Sequence, residues 1–148
     1  MRRFRFRLQS VLEYAEQVEE QRRLELAALQ EKRRVAAQRL AALVISRAAV
    51  RRELIASPGK VLEIDKVEMV RAHLERLAEE IAQQREEIAR LDHEHSAKTA
   101  EVIEAMRRRK ILQKLREREE REHYLTLSRM EEKMLEDLVT PRHAARAR

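Results

Sequence analysis

The chain has no cysteine and no tryptophan, one glycine (Gly59) and two prolines (Pro58 and Pro141) in 148 residues. Each shortage excludes something. Without cysteine there is no disulfide, no thiol nucleophile and no cysteine zinc site. A single glycine rules out a phosphate-cradling P-loop and a dinucleotide fingerprint. Aromatic residues make up 3%, and they are Phe4, Phe6, Tyr14 and Tyr124. That is too few to stack the bases of a single strand or to fill an ordinary globular core. The longest uninterrupted apolar run, Leu40 to Ile45, falls far short of the ~20 residues of a membrane span. The opening arginines are followed by no apolar core, so no secretory signal is expected. Lack of cysteine fits a reducing compartment, and a cytoplasmic location is expected.

What is present in quantity is charge, at 41%, beside 43% hydrophobic residues. That mixture, rich in Ala, Glu, Lys, Leu and Arg, is typical of long helices and coiled coils. Regular apolar spacing argues against disorder. The net charge of +6 is unevenly spread. Residues 1–59 hold 13 Lys/Arg against 7 Asp/Glu, while residues 60–148 hold 20 of each. A second dense basic stretch runs from Arg107 to Arg118. Such patches suit acidic proteins, nucleic acid or anionic lipid.

Apolar residues recur at intervals of three and four, the signature of a helical seam. In the first half the run is Leu8, Leu12, Ala15, Glu19, Arg22, Leu26, Leu29, Arg33, Ala36, Leu40, Leu43, Arg47, Val50, Leu54. In the second it is Val67, Val70, Leu74, Leu77, Ile81, Gln84, Ile88, Leu91, His95, Lys98, Val102, Ala105. Beyond Ala105 the phase slips, leaving a cluster at Ile111, Leu112 and Leu115 and a looser stripe at Tyr124, Leu127, Met134 and Leu138. Between the halves, Ser57-Pro58-Gly59-Lys60 combines a residue that cannot continue the ladder with one that tolerates a tight reversal.

The expected fold is therefore all-α: two long helices forming an antiparallel coiled-coil hairpin, the second longer than the first. The chain reads as one hairpin over 1–148, with a helix at about 8–56, a turn at 57–60, a helix at about 61–138 and a frayed tail at 139–148. At 1.5 Å per residue the two helices measure roughly 73 and 117 Å. About 29 residues at the end of the second helix then lack an intramolecular partner. That overhang holds Arg107, Arg108, Arg109 and Lys110, with Tyr124, Leu127 and Met134 beyond. An amphipathic helix without an internal partner awaits an external one.

No catalytic constellation emerges. The serines lie in no nucleophile-elbow context. His93 and His95 point about 200° apart on a helix and cannot share a metal. His95 reads instead as a polar seam position that fixes register, and His93 as solvated. The seam arginines Arg22, Arg33 and Arg47 lay their stems along the seam and reach a facing carboxylate or water, or else mark where the pair splays for a partner. The patch at Arg107–Lys110 reads as a solvated face, as a dock for an acidic protein, or as a salt-sensitive nucleic-acid contact. No enzyme activity, cofactor or metal is expected.

The opening Met1-Arg-Arg-Phe4-Arg-Phe6-Arg-Leu8-Gln-Ser-Val11-Leu12 resembles the start of the flagellar FliJ family. His73-Leu74-Glu75-Arg76-Leu77-Ala78-Glu79-Glu80-Ile81 and Arg129-Met130-Glu131-Glu132-Lys133-Met134-Leu135-Glu136-Asp137 are similar to the family's segments after the turn and near the close. The resemblance implies a non-enzymatic stalk and chaperone of flagellar type III protein export, similar to the γ-type shaft of rotary ATPases. Its partners would be the export ATPase ring, the export-gate membrane protein and export chaperones, with no specific nucleic acid. The terminal end would sit in the ring through Phe4, Phe6, Arg107, Arg108, Arg109, Lys110, Tyr124, Leu127 and Met134. The gate would be met by Leu43, Val50, His73, Leu77 and Gln84. The free protein is expected to be a monomer, recruited to the inner membrane only peripherally. Other readings of the same shape are the equivalent stalk of a virulence-type secretion system, a basic coiled coil binding nucleic acid or anionic membrane, and a self-associating coiled coil.

Overall fold

The computed structural model describes residues 2–56 and 64–146, with side chains as far as Thr140. Two helices account for most of them: α1 (Gln9–Ile55) and α2 (Ile64–Arg146). The expected turn at Ser57–Lys60 lies outside the described residues. Helix ends carry suitable charge, with Arg52 in the last turn of α1 and Asp65 in the first turn of α2, each complementing the partial charge of its terminus.

The helices form an antiparallel hairpin. Glu25 meets Lys98, Arg33 meets Asp92, and Gln84 reaches the backbone of Ala36. As the number rises along α1, its partner's number falls along α2. Packing divides into two compact units. One unit is Gln21–Val102, and the other joins Met1–Glu20 to Ile103–Arg148.

In the unit Gln21–Val102 the buried apolar residues are Ala36, Leu77, Ile81 and Leu91, all on the stripes read from the sequence. Ile81 is 2% exposed. Burial stops short of the stripe ends, because Leu54 and Val67 are exposed. In the other unit the core is Phe6, Leu12 and Ala105, with Leu12 1% exposed.

The second unit departs from expectation in three ways. First, the seam of α2 does not slip after Ala105. Arg109, Leu112, Arg116, His123 and Leu127 continue it at part-buried positions. Arginine at two of these sites hid the periodicity from an apolar count. Second, the overhang is shorter than 29 residues. Residues 2–8 run beside α2, and their exposure alternates: Phe4 and Phe6 turn inward while Arg3, Arg5 and Arg7 are exposed. That period of two belongs to extended chain. Residues 2–6 are extended and residues 7–8 turn into α1; five extended residues reach up to ~17 Å, the length of about 11 helical residues. The Phe4 and His123 rings lie 5.7 Å apart, and His123 Nε2 sits 3.2 Å from the Arg2 carbonyl oxygen. The arm thus covers α2 to the neighbourhood of Leu127. Third, α2 runs through Pro141 to Arg146 rather than stopping there. A proline in a helix removes one backbone hydrogen bond, and here the helix continues past that loss.

Leu12 is buried and Leu54 is 43% exposed, although both lie on the same stripe. Leu12→Ala should therefore cost about 3 kcal/mol in urea unfolding, through lost transfer energy and a residual cavity. Leu54→Ala should cost under about 1 kcal/mol, since little of its surface leaves water. Equal losses at the two sites would refute this packing.

Candidate partner-binding surfaces

Polar side chains occupy the places where the apolar stripes break, and most of them meet across the two helices. In the unit Gln21–Val102, Arg33 Nε donates to Asp92 Oδ1. Gln84 Nε2 donates to the Ala36 carbonyl at 3.1 Å. His95 Nε2 lies 3.5 Å from Gln30 Nε2, which places His95 at the seam as expected, while His93 is exposed. Arg22, Glu25, Lys98 and Glu101 form a four-member cluster. Lys98 Nζ is 2.7 Å from both Glu25 and Glu101, and Arg22 reaches Glu25 at 3.2 Å and Glu101 at 3.6 Å. Arg47 is half-buried.

This cluster perturbs its acids and bases. Hydrogen bonds from Lys98 first, then from Gln21 and Arg22, pull the Glu25 carboxyl from 4.5 down to about 2. Lys98 is raised, through Glu101 first and Glu25 second. Glu101 is lowered, chiefly by Lys98. Elsewhere the ion pairs Glu31–Arg34 and Glu87–Arg90 lie within single helices at spacing three and belong to a solvated face.

In the unit of the two terminal segments, Glu19 is only 5% exposed and accepts from Arg109 Nε. Arg109 also donates to Gln113 at 2.6 Å. Arg109 is thereby committed to the fold, unlike its neighbours. Arg107, Arg108 and Lys110 are exposed, with Arg108 3.3 Å from Glu104 on its own helix. Of the other residues expected at the ATPase ring, Phe4 and Leu127 are half-buried and Phe6 is 7% exposed. Tyr124 and Met134 are exposed. Tyr124 stands edge-on to His123 at 5.6 Å.

The residues expected at the export gate all fall in the unit Gln21–Val102. Leu43, Val50 and Gln84 are half-buried on the seam, and Leu77 is buried. His73 is exposed.

One surface is not reported by the seam positions. An apolar groove of about 380 Å³ lies along α1 and α2, lined by Val11, Tyr14, Ala15, Val18, Ala105, Arg108, Ile111 and Leu112. The signal was present as paired apolar positions next to the seam (11, 14 and 18; 111), but a count of seam positions alone passes over them. The expected unpartnered end of α2 is the run from Ser128 to Thr140, exposed at every residue.

Among the described residues no group of His, Cys, Asp and Glu could hold a metal ion. Among the same residues no helix is long and apolar enough to cross a membrane.

Because Glu25 is depressed on folding, its contribution is complete above pH 4.5 and is lost as the pH falls toward 2. Thermal melts from pH 5 to pH 2 should show a steeper loss of Tm for the wild type than for Lys98→Met, which lacks the main donor. Parallel curves would remove this cluster from the acid response.

The family model of the flagellar FliJ protein matches residues 4–148. The chain matches no curated protein and no solved structure. A match across nearly the whole chain, on an antiparallel pair of helices of unequal length, makes this chain a member of the flagellar FliJ family.

Proposed function

We propose that the protein is a non-enzymatic stalk and chaperone of the flagellar type III export apparatus, binding the export ATPase ring and the export gate and so coupling one to the other. Family membership supports a place in flagellar export. The observation that carries the finer reading is that the unit of the two terminal segments keeps spare basic and apolar surface on α2. Arg107, Arg108 and Lys110 are exposed there, and past Leu127 the seam goes on through Met130, Met134 and Leu138 with both faces in water.

An amphipathic helix with an open stripe docks by inserting that stripe into a groove. Exposed arginine and lysine steer association with an acidic lining and add charge-assisted hydrogen bonds once docked. On this reading Arg107, Arg108, Lys110, Tyr124 and Met134 touch the ring. Phe4, Phe6 and Arg109 serve it indirectly, by holding the arm and α1 against α2. At the gate, His73 offers an exposed side chain, and Leu43 and Val50 offer part of theirs. Leu77 and Gln84 hold the helix pair in register beneath them. The protein would work in the cytoplasm, meeting the membrane only through the gate protein, and would hand export chaperones to it.

The test is binding to, and stimulation of, the purified flagellar export ATPase. Replacing Arg107, Arg108 and Lys110 together by Glu should weaken binding at least about tenfold, since each lost charge-assisted contact is worth on the order of 1 kcal/mol or more. Circular dichroism should remain helical. Full binding and stimulation by the triple variant would overturn the assignment of this surface.

A further inference from the structure

Two unpartnered apolar surfaces lie in the same compact unit. One is the groove between α1 and α2, where Tyr14 and Ile111 are both 67% exposed. The other is the stripe Met130, Met134 and Leu138, the continuation of the α2 seam beyond the reach of the arm. The two match in length. Met130 to Leu138 spans about 12 Å of helix and Val11 to Val18 about 11 Å, at 1.5 Å per residue.

They also match in charge. Residues 107–118, on the α2 side of the groove, carry seven Lys/Arg against one Glu, net +6, of which Arg109 is paired with Glu19, while the α1 side, residues 11–18, carries Glu13 and Glu16, net −2. Residues 128–140 carry two Lys/Arg against four Asp/Glu, net −2. By helical phase Glu131 and Asp137 border the stripe on its two sides, placed to meet basic groups at a groove edge.

Both surfaces lie on or against one continuous helix, the stripe following the groove toward the C-terminal end. A straight helix cannot fold its own stripe back into its own groove. A second copy laid antiparallel can supply it, and then the exchange is reciprocal: each copy's stripe enters the other's groove. Such an isologous contact closes at two and forms no fibre.

We propose that the protein forms a two-fold dimer in which residues 128–140 of each copy fill the groove of Val11, Tyr14, Val18 and Ile111 in the other. This replaces the expectation of a free monomer, and it does not depend on the export reading. One consequence is that a second copy and any docking partner of the stripe exclude one another.

The absence of native cysteine gives a clean test on the full chain. Ile111→Cys and Met134→Cys are made as separate proteins, both at exposed positions. Mixed and mildly oxidised, they should give a cross-linked species several times, roughly fivefold, more abundant than either protein alone gives, because only the mixed pair brings the two sulfurs within disulfide reach. A mixed yield no greater than the yields alone overturns the proposal. Sedimentation provides the second arm. The wild type should move from monomer to dimer with rising concentration, less so at high salt, whereas Met134→Glu with Leu138→Glu should stay monomeric with unchanged helicity. A wild type that stays monomeric throughout, or a double variant that dimerises equally well, overturns it too.

Discussion

Two apolar stripes laid against each other hold two helices together but leave them free to slide by a heptad. Polar pairs across the seam, ranging from the buried Glu19 to the exposed Arg33 and Asp92, remove that freedom. Glu19 with Arg109, the cluster of Arg22, Glu25, Lys98 and Glu101, Arg33 with Asp92, and Gln84 with the Ala36 carbonyl each match in one alignment. Sliding either helix by a turn would leave charges facing leucine or alanine, and an unpaired charge at a buried site is costly. Polar seam residues give up some stability relative to leucine and specify alignment in return. Glu19 is the most demanding of them, since it is charged and 5% exposed.

Alignment decides which surfaces remain for partners. With Glu19 opposite Arg109, the first turn of α1 falls well short of the end of α2. The arm of residues 2–6 then makes up part of the difference in extended form, placing Phe4 beside His123 and burying Phe6. On α2 in this unit, the run from Ser128 to Thr140 is left uncovered, together with the basic face at Arg107, Arg108 and Lys110. The same alignment sets the groove beside Ile111. The surfaces proposed to meet partners are thus a remainder, fixed by where the polar pairs stop the two helices.

The helices, their antiparallel pairing and most of the seam were legible because leucine, isoleucine and valine at spacings of three and four report burial directly. Leu12, Ala36, Leu77, Ile81 and Leu91 all lie where that pattern puts them. The arginines of the seam were harder to read. Arg33 finds a facing carboxylate as its position suggested, but Arg109 and Arg116 looked like a break in phase and an exposed patch. An arginine stem covers apolar surface as well as a leucine does while its head seeks an acid, so composition alone cannot separate the two roles. The arm is illegible for a different reason. Residues 2–6 precede the first helical seam and carry no helical spacing, and extended chain covers about twice the distance per residue. The likeness of Phe4-Arg-Phe6-Arg to the flagellar family agreed with the family match over residues 4–148; what those phenylalanines pack against required the structure.

Charge exchange at the most buried pair tests the alignment most directly. Glu19→Arg and Arg109→Glu each place like charges together at a site of little exposure, and each should lower stability by about 3 kcal/mol in chemical denaturation. The double variant restores opposite charges in reversed order, and it should recover most of the loss. If the two losses simply add, Glu19 and Arg109 do not face each other, and the alignment from which the partner surfaces follow is wrong.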